Sequence, residues 1–205
     1  TNASTITNAG SVTNTISTIT IKSGTTDVTS NYSITKNNGT LKINMVTPTI
    51  SLSQRTGLVY NGSAQGAHSA TVSPNSRQSI TYKYYTDSAC SKGETTTAPT
   101  NAGTYYVKAY AAKVDNKTNA ANSGCVAHTI GAKTVTVTAG STTRNWNGSA
   151  LTNNTCAGTG LLSNHTVSCT MTNASTITNA GSVTNTISTV TIKSGTTDVT
   201  SNYNR

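Results

Sequence analysis

The chain has 205 residues, 14 basic and five acidic side chains, a net charge of +9 and no Phe. Thr, Ser and Asn number 45, 25 and 23, close to half of the residues, far above ordinary usage. Five scattered acids and three unclustered His argue against an enzyme, singly spread Lys and Arg argue against a nucleic-acid partner, and no stretch approaches the ~20 apolar residues of a membrane span.

Val, Ile and Tyr alternate with Thr along most of the chain, which is the pattern of half-buried strands. In chain order, Ile19–Lys22 is the first predicted strand, followed by a turn at Ser23-Gly24. A turn at Asn37-Asn38-Gly39 leads into Thr40–Met45, with Leu41, Ile43 and Met45 inward. Turns follow at Asn61-Gly62 and Pro74-Asn75. In Ser79–Tyr85, Ile80, Tyr82 and Tyr84 oppose Thr81, Lys83 and Tyr85. After a turn over Pro99–Gly103, Thr104–Ala111 sets Tyr105, Val107 and Ala109 against Thr104, Tyr106 and Lys108. Lys113–Asn122 is the one candidate for a short helical turn. Cys125–Ile130 and Lys133–Ala139 complete the set, the latter with Val135, Val137 and Ala139 on one face and three Thr on the other. Short strands at this spacing give an all-β fold of small sandwiches. Thr coats the outer faces, where its branched β-carbon holds the strand and its hydroxyl stays hydrated.

The chain also repeats itself. Residues Thr1–Tyr32 recur at Thr172–Tyr203 with one change, Ile19 to Val190, a period of 171 residues. Within that period TNAG occurs at Thr7–Gly10, Thr100–Gly103 and Thr178–Gly181, and an aromatic-NGSA motif at Tyr60–Ala64 and Trp146–Ala150. Two related domain types follow. Residues 46–132 form a complete A-type domain, 1–45 the C-terminal part of a B-type domain, and 133–205 the N-terminal and middle part of the next. Near-identity at this distance marks a window cut from a long tandem array. The alternative is a subunit whose incomplete ends complete each other between identical neighbours by strand donation.

Cys90 and Cys125 fall in the A-type domain, Cys156 and Cys169 in the B-type one. Two per domain in a Thr-rich β chain point to disulfides and an oxidising, extracellular setting. Bridges closing about 35 and 13 residues stabilise by roughly 3–4 kcal/mol each in the chain-entropy model. Each domain holds only a loose Cys/His pair, so no metal site is expected. No cofactor motif is present.

Candidate functional side chains are few. His68, His128 and His165 have no acid or nucleophile motif beside them and read as satisfied or surface histidines. Lys83 with Glu94, the only Glu, is a candidate isopeptide pair, weighed against Glu94 as a solvated loop residue beside Cys90. Tyr82, Tyr84, Tyr85, Tyr106 and Tyr110, with Tyr105 among them, form a candidate aromatic contact strip for sugars. Ordinary cross-strand packing is the competing reading. NxS/T sequons such as those at Asn2, Asn61 and Asn147 are what this composition produces by chance.

LVYNGSAQ, ITYKYY and PTNAGTYYVKAYA resemble the tandem Ig-like repeats of large bacterial surface proteins. WNGSAL, GLLSNHTVSC, TNAGSVTNTI, VTIKSGTTDVTSNY and NGTLKI resemble the related MBG/YDG-type repeats. The resemblance implies tandem Ig-like β-sandwich domains, with a β-grasp-like arrangement as the alternative, at a cell surface. It also implies a structural segment of a fibre, stalk or filament. The competing role is an adhesin repeat that binds a glycan or host protein by avidity, with glycans or cell-wall polymers as further partners.

Overall fold

The structure is a computed structural model and describes residues 4–67, 69–74 and 78–205. His68, Asn75 and the Asn2 sequon lie outside the described residues. The strands begin with β1 (Gly10–Asn14), β2 (Lys22–Ser23), β3 (Thr26–Asp27), β4 (Gly39–Ile43), β5 (Thr49–Ser51) and β6 (Leu58–Val59). Next come β7 (Thr71–Ser73), β8 (Ile80–Tyr85), β9 (Gly103–Ala111), β10 (Ala121–Asn122), β11 (Val126–Gly131) and β12 (Lys133–Thr134). The last six are β13 (Thr136–Ala139), β14 (Cys156–Thr159), β15 (His165–Met171), β16 (Ile187–Ser194), β17 (Thr197–Asp198) and β18 (Tyr203–Asn204). Helical structure among the described residues is confined to two three-residue 3-10 turns, Thr29–Asn31 and Thr200–Asn202. The fold is all-β.

Two compact units divide the chain: Thr1–Leu52 with Ala70–Thr81 and Ala109–Gly124, and Ser53–Ser69 with Tyr82–Lys108 and Cys125–Arg205. The division falls inside β8 and β9. In the first unit β1 pairs antiparallel with β4, from Gly10↔Ile43 to Asn14↔Gly39, and β5 pairs with β7. Every residue of β1 is exposed, and in β4 only Leu41 is half-buried. Ile43, expected inward, is 39% exposed, because a two-stranded ribbon gives it no facing layer. Residues 113–122 contain a turn closed by a Val114–Thr118 bridge in place of the expected helical turn. The Val114 amide donates to the Thr118 carbonyl and the Thr118 amide to that of Val114, a reciprocal pairing that fixes a hairpin.

The second unit holds the larger core. Its β11 lies between β9, antiparallel with Val107 opposite Val126, and β6, parallel with Ile130 opposite Leu58. β15 and β16 form the longest pair, from His165↔Ser194 to Met171↔Ile187. Alternation decides the faces as expected: Val135 is buried and Val137 half-buried, while Thr134, Thr136 and Thr138 are exposed. Cys90–Cys125 and Cys156–Cys169 are both disulfides, with S–S distances of 2.06 and 1.98 Å.

The two short motifs are local devices with fixed geometry. In both NGSA copies the Asn side chain accepts the Ser amide two residues on, at 2.9 Å for Asn61–Ser63 and 3.1 Å for Asn147–Ser149. The glycine takes φ of +78° and +80°, a region that only glycine enters freely. In the three TNAG copies the glycine has φ of +146°, +155° and +149°. It opens β1 and β9 in the first two.

Candidate functional site: the buried seam around Tyr60 and Tyr203

The main core of the second unit is built from chain segments on both sides of Ala132. Leu58, Tyr60 and Ile130 come from one side, and Val135, Ile192, Val199 and Tyr203 from the other. The chain passes directly from β11 into β12 with no linker, and β12 runs parallel to β18, with Lys133 opposite Tyr203.

Aromatic and polar groups lock this seam. The rings of Tyr60 and Tyr203 meet edge-on at 5.6 Å, and His165 stands 6.0 Å from Tyr60 and 5.7 Å from Tyr203. The Tyr203 hydroxyl shares a 2.6 Å hydrogen bond with His165 Nδ1 and accepts the Leu162 amide at 3.3 Å. Asn202 is 2% exposed. Its Oδ1 accepts the Ala102 amide at 2.7 Å, and its Nδ2 donates to Asn101 Oδ1 at 3.1 Å. Asn101 and Ala102 belong to the middle TNAG, so that motif also holds the 3-10 turn at Thr200–Asn202. Burial, with the neighbouring Tyr203, pushes the Tyr60 phenol up from its ordinary range. Satisfied buried polar groups of this kind fix one arrangement where apolar packing alone would tolerate several.

His128 and His165 are both buried. His128 Nε2 donates to the Gln65 carbonyl at 2.8 Å, and its ring meets Tyr84 edge-on at 5.6 Å. Burial holds its pKa below the usual imidazole value. Lys83 and Glu94 do come together, with Nζ 2.5 Å from Oε1, while the Tyr85 hydroxyl donates to Oε2 at 3.0 Å. The Lys83 hydrogen bond, then that of Tyr85, lowers the Glu94 pKa. Glu94 is half-exposed at 50%. An isopeptide-assisting acid must be protonated and buried, so this geometry is that of an ion pair.

Of the candidate aromatic strip, Tyr84 and Tyr85 are buried at 5% and 3% and present no contact surface. The Ala67 amide donates to the Tyr84 hydroxyl at 3.0 Å. Tyr82, Tyr106 and Tyr110 are half-buried, and Tyr105 packs against the main core. The described residues contain no group of three or more His, Cys, Asp or Glu placed to hold a metal ion.

The junction residues were only partly visible in sequence. Tyr60 and TNAG stood out as motifs, but Asn202, Tyr203 and His165 carry no local signal of docking. Comparison with family models, with curated proteins and with solved structures finds no match for the chain.

Proposed function

We propose that the chain is a structural segment of an extracellular bacterial surface fibre, stalk or filament, built from tandem disulfide-stiffened Ig-like repeats. The observation that carries this reading is the junction: a linker-free seam that buries Tyr60, Tyr203 and Asn202 where one repeat type passes into the next. A recurring seam of this kind transmits bending and tension along an array, and near-identity between copies makes array length the property that duplication changes. The Ig-like assignment draws support from the order β8–β9–β11, which matches the C–F–G side of such sandwiches. A β-grasp arrangement would instead lay a helix across its sheet. Two disulfides fit an oxidising setting, and no helix among the described residues is long and apolar enough to cross a membrane.

The test is immuno-electron microscopy of intact source cells with antibody raised against the chain. Extracellular filaments decorated at a regular axial interval are the expected result. Label confined to the cell interior, or carried by isolated globular particles, overturns the reading.

A further inference from the structure

His128 stands on the core face of β11, on the same side as Val126 and Ile130, and is 0% exposed. The Gln65 carbonyl can only accept, so the 2.8 Å bond to it places the ring proton on Nε2. Nδ1 is then a bare acceptor, and it is buried with no hydrogen-bond partner among the described residues. An aliphatic side chain would fill this position and leave no acceptor unsatisfied, so packing alone does not account for the imidazole.

The segment bonded to the ring has no secondary structure of its own: residues 64–67 belong to no strand or helix. Four hydrogen bonds hold residues 65–67 against the sheet. The Gln65 amide donates to the Pro99 carbonyl at 2.9 Å, and the Ala67 amide to the Tyr84 hydroxyl at 3.0 Å. His128 Nε2 donates to the Gln65 carbonyl, and Arg55 Nη1 to the Gly66 carbonyl at 2.6 Å. Gln65 Nε2 reaches back to the Val59 carbonyl at 3.0 Å, which ties the segment to β6. By contrast, β11 is paired with β9 from Val126↔Val107 to Ile130↔Gly103 and with β6 on its other side, and the Cys90–Cys125 bridge anchors the residue before it.

We propose that residues 65–67 are an acid-released latch, which opens when His128 takes a second proton on Nδ1. The ring would then carry two donors with one acceptor between them, and its charge would lie near the Arg55 guanidinium. A buried cation with an unmet donor is costly, and water at Nδ1 relieves that cost. Since β11 is fixed on both sides, the segment that moves to admit water is the unpaired one. Its release also frees the Val59 carbonyl, beside Tyr60 in the seam.

The groups around the ring do not offset the charge. Arg55 comes from the segment before β6, Tyr84 from β8, and Tyr105 lies opposite in β9; β11 carries no other titratable side chain. Glu94 is engaged by Lys83 and Tyr85, which alternation sets on the other face of β8 from Tyr84. Burial, and after it the Arg55 charge, holds the His128 pKa down against the opposing Gln65 bond. The closed latch is therefore fully supported above the open-state imidazole value of about 6.5. That support is lost as pH falls from there toward the depressed closed-state value. The latch lies within residues 55–128 and does not depend on the fibre reading.

The experiment measures amide exchange by NMR in the 205-residue chain, from about pH 7.5 to about pH 5, with each rate divided by the intrinsic rate at that pH. Protection of the Gln65 and Ala67 amides should fall by up to about tenfold per pH unit below about 6.5, while the β9–β11 ladder keeps its protection. His128→Leu, which has no proton to take, should hold Gln65 and Ala67 equally protected across the range. His68→Gln, at the neighbouring histidine in sequence, should retain the full pH dependence. If His128→Leu does not fold, the ring nitrogen shifts of the unaltered chain decide the matter: His128 should keep its neutral Nε2–H form to a lower pH than an ordinary imidazole. Protection that ignores pH, a dependence that survives in His128→Leu, or one that vanishes in His68→Gln overturns the latch. So does a His128 ring that titrates at or above about 6.5. Loss of protection along the β9–β11 ladder in the same pH range would mean that the whole sheet opens, and overturns a local device.

Discussion

Residues 4–32 and 175–203 offer a comparison that few chains contain, because they differ at one position and sit in different surroundings. Their final turn is the same. In each, an Asp side chain accepts the amide of the Thr two residues on, at 2.9 Å for Asp27–Thr29 and 2.8 Å for Asp198–Thr200. That Thr hydroxyl accepts the amide of Ile21 or Ile192 at 2.8 Å in both copies. The φ and ψ of Tyr32 and Tyr203 coincide at −121° and 138°. Burial is not the same: Tyr32 is 56% exposed and Tyr203 5%. Ile187–Ser194 is an eight-residue strand, while only Lys22–Ser23 of its counterpart is strand. HTVSCTM occurs once in this sequence, at His165–Met171, and it pairs with the second copy; GTLKI occurs once and pairs with the first. Turn chemistry is thus set by the residues themselves, and strand formation by the available partner.

The sharpest way to break this comparison is to make one substitution in each copy. Ile192→Ala removes a side chain with 0% exposure and should cost about 2–5 kcal/mol, the usual range for truncating a core aliphatic. Ile21→Ala, at a half-buried site without a strand partner, should cost less than about 1 kcal/mol. Urea denaturation of the two variants measures both values. Equal costs would mean that the first copy is as well packed as the second.

A second test acts on the partner strand. Cys169 lies opposite Val190 in the β15–β16 pair and is bridged to Cys156. Replacing both by Ser should lower stability by about 3 kcal/mol and speed amide exchange at Thr189–Ile192 toward the rate at Thr18–Ile21. Amide exchange followed by NMR distinguishes this from a uniform loss, in which the two copies would keep their ratio.

Smaller still is the loss of one hydroxyl. Tyr203→Phe removes the bonds to His165 and the Leu162 amide and should cost about 1–2 kcal/mol, while Tyr32→Phe should be neutral in the same thermal melts. If both are neutral, the junction is held by ring packing alone.

These cases show what the sequence made legible. Alternation in Lys133–Ala139 and Thr104–Ala111 placed their faces correctly, since a period of two leaves little choice once one side is buried. The cysteine pairings and the NGSA and TNAG turns were also readable, because each depends on residues close in sequence or on simple counting. The extent of Ile19–Lys22 was not, because its pairing depends on a distant partner. Nor was the burial of Tyr85, which lies on the face opposite Tyr82 and Tyr84 yet is covered in the fold. The docking role of Asn202 and His165 was equally hidden, since it is created by chain segments about 40 to 100 residues away.

The finest distinction between the copies is electrostatic. Asp27 and Asp198 both titrate below the ordinary carboxylate value, chiefly because a Thr hydroxyl and then its amide bond the charged form. Only Asp198 is lowered further by the charges of Lys193 and Arg205. In both copies the turn is fully supported above the unfolded pKa of about 3.9. That support is lost as pH falls through the depressed folded value, where the unfolded chain already carries the proton. The shared hydrogen bonds are short-ranged and insensitive to salt, whereas the extra charges are exposed and screened by it. Raising ionic strength should therefore lift the Asp198 midpoint toward that of Asp27 and leave Asp27 nearly fixed, as read from carboxyl carbon shifts in an NMR titration. If both midpoints move together, the charges around the second copy add nothing that its turn does not already supply, and the two copies differ in burial and strand pairing alone.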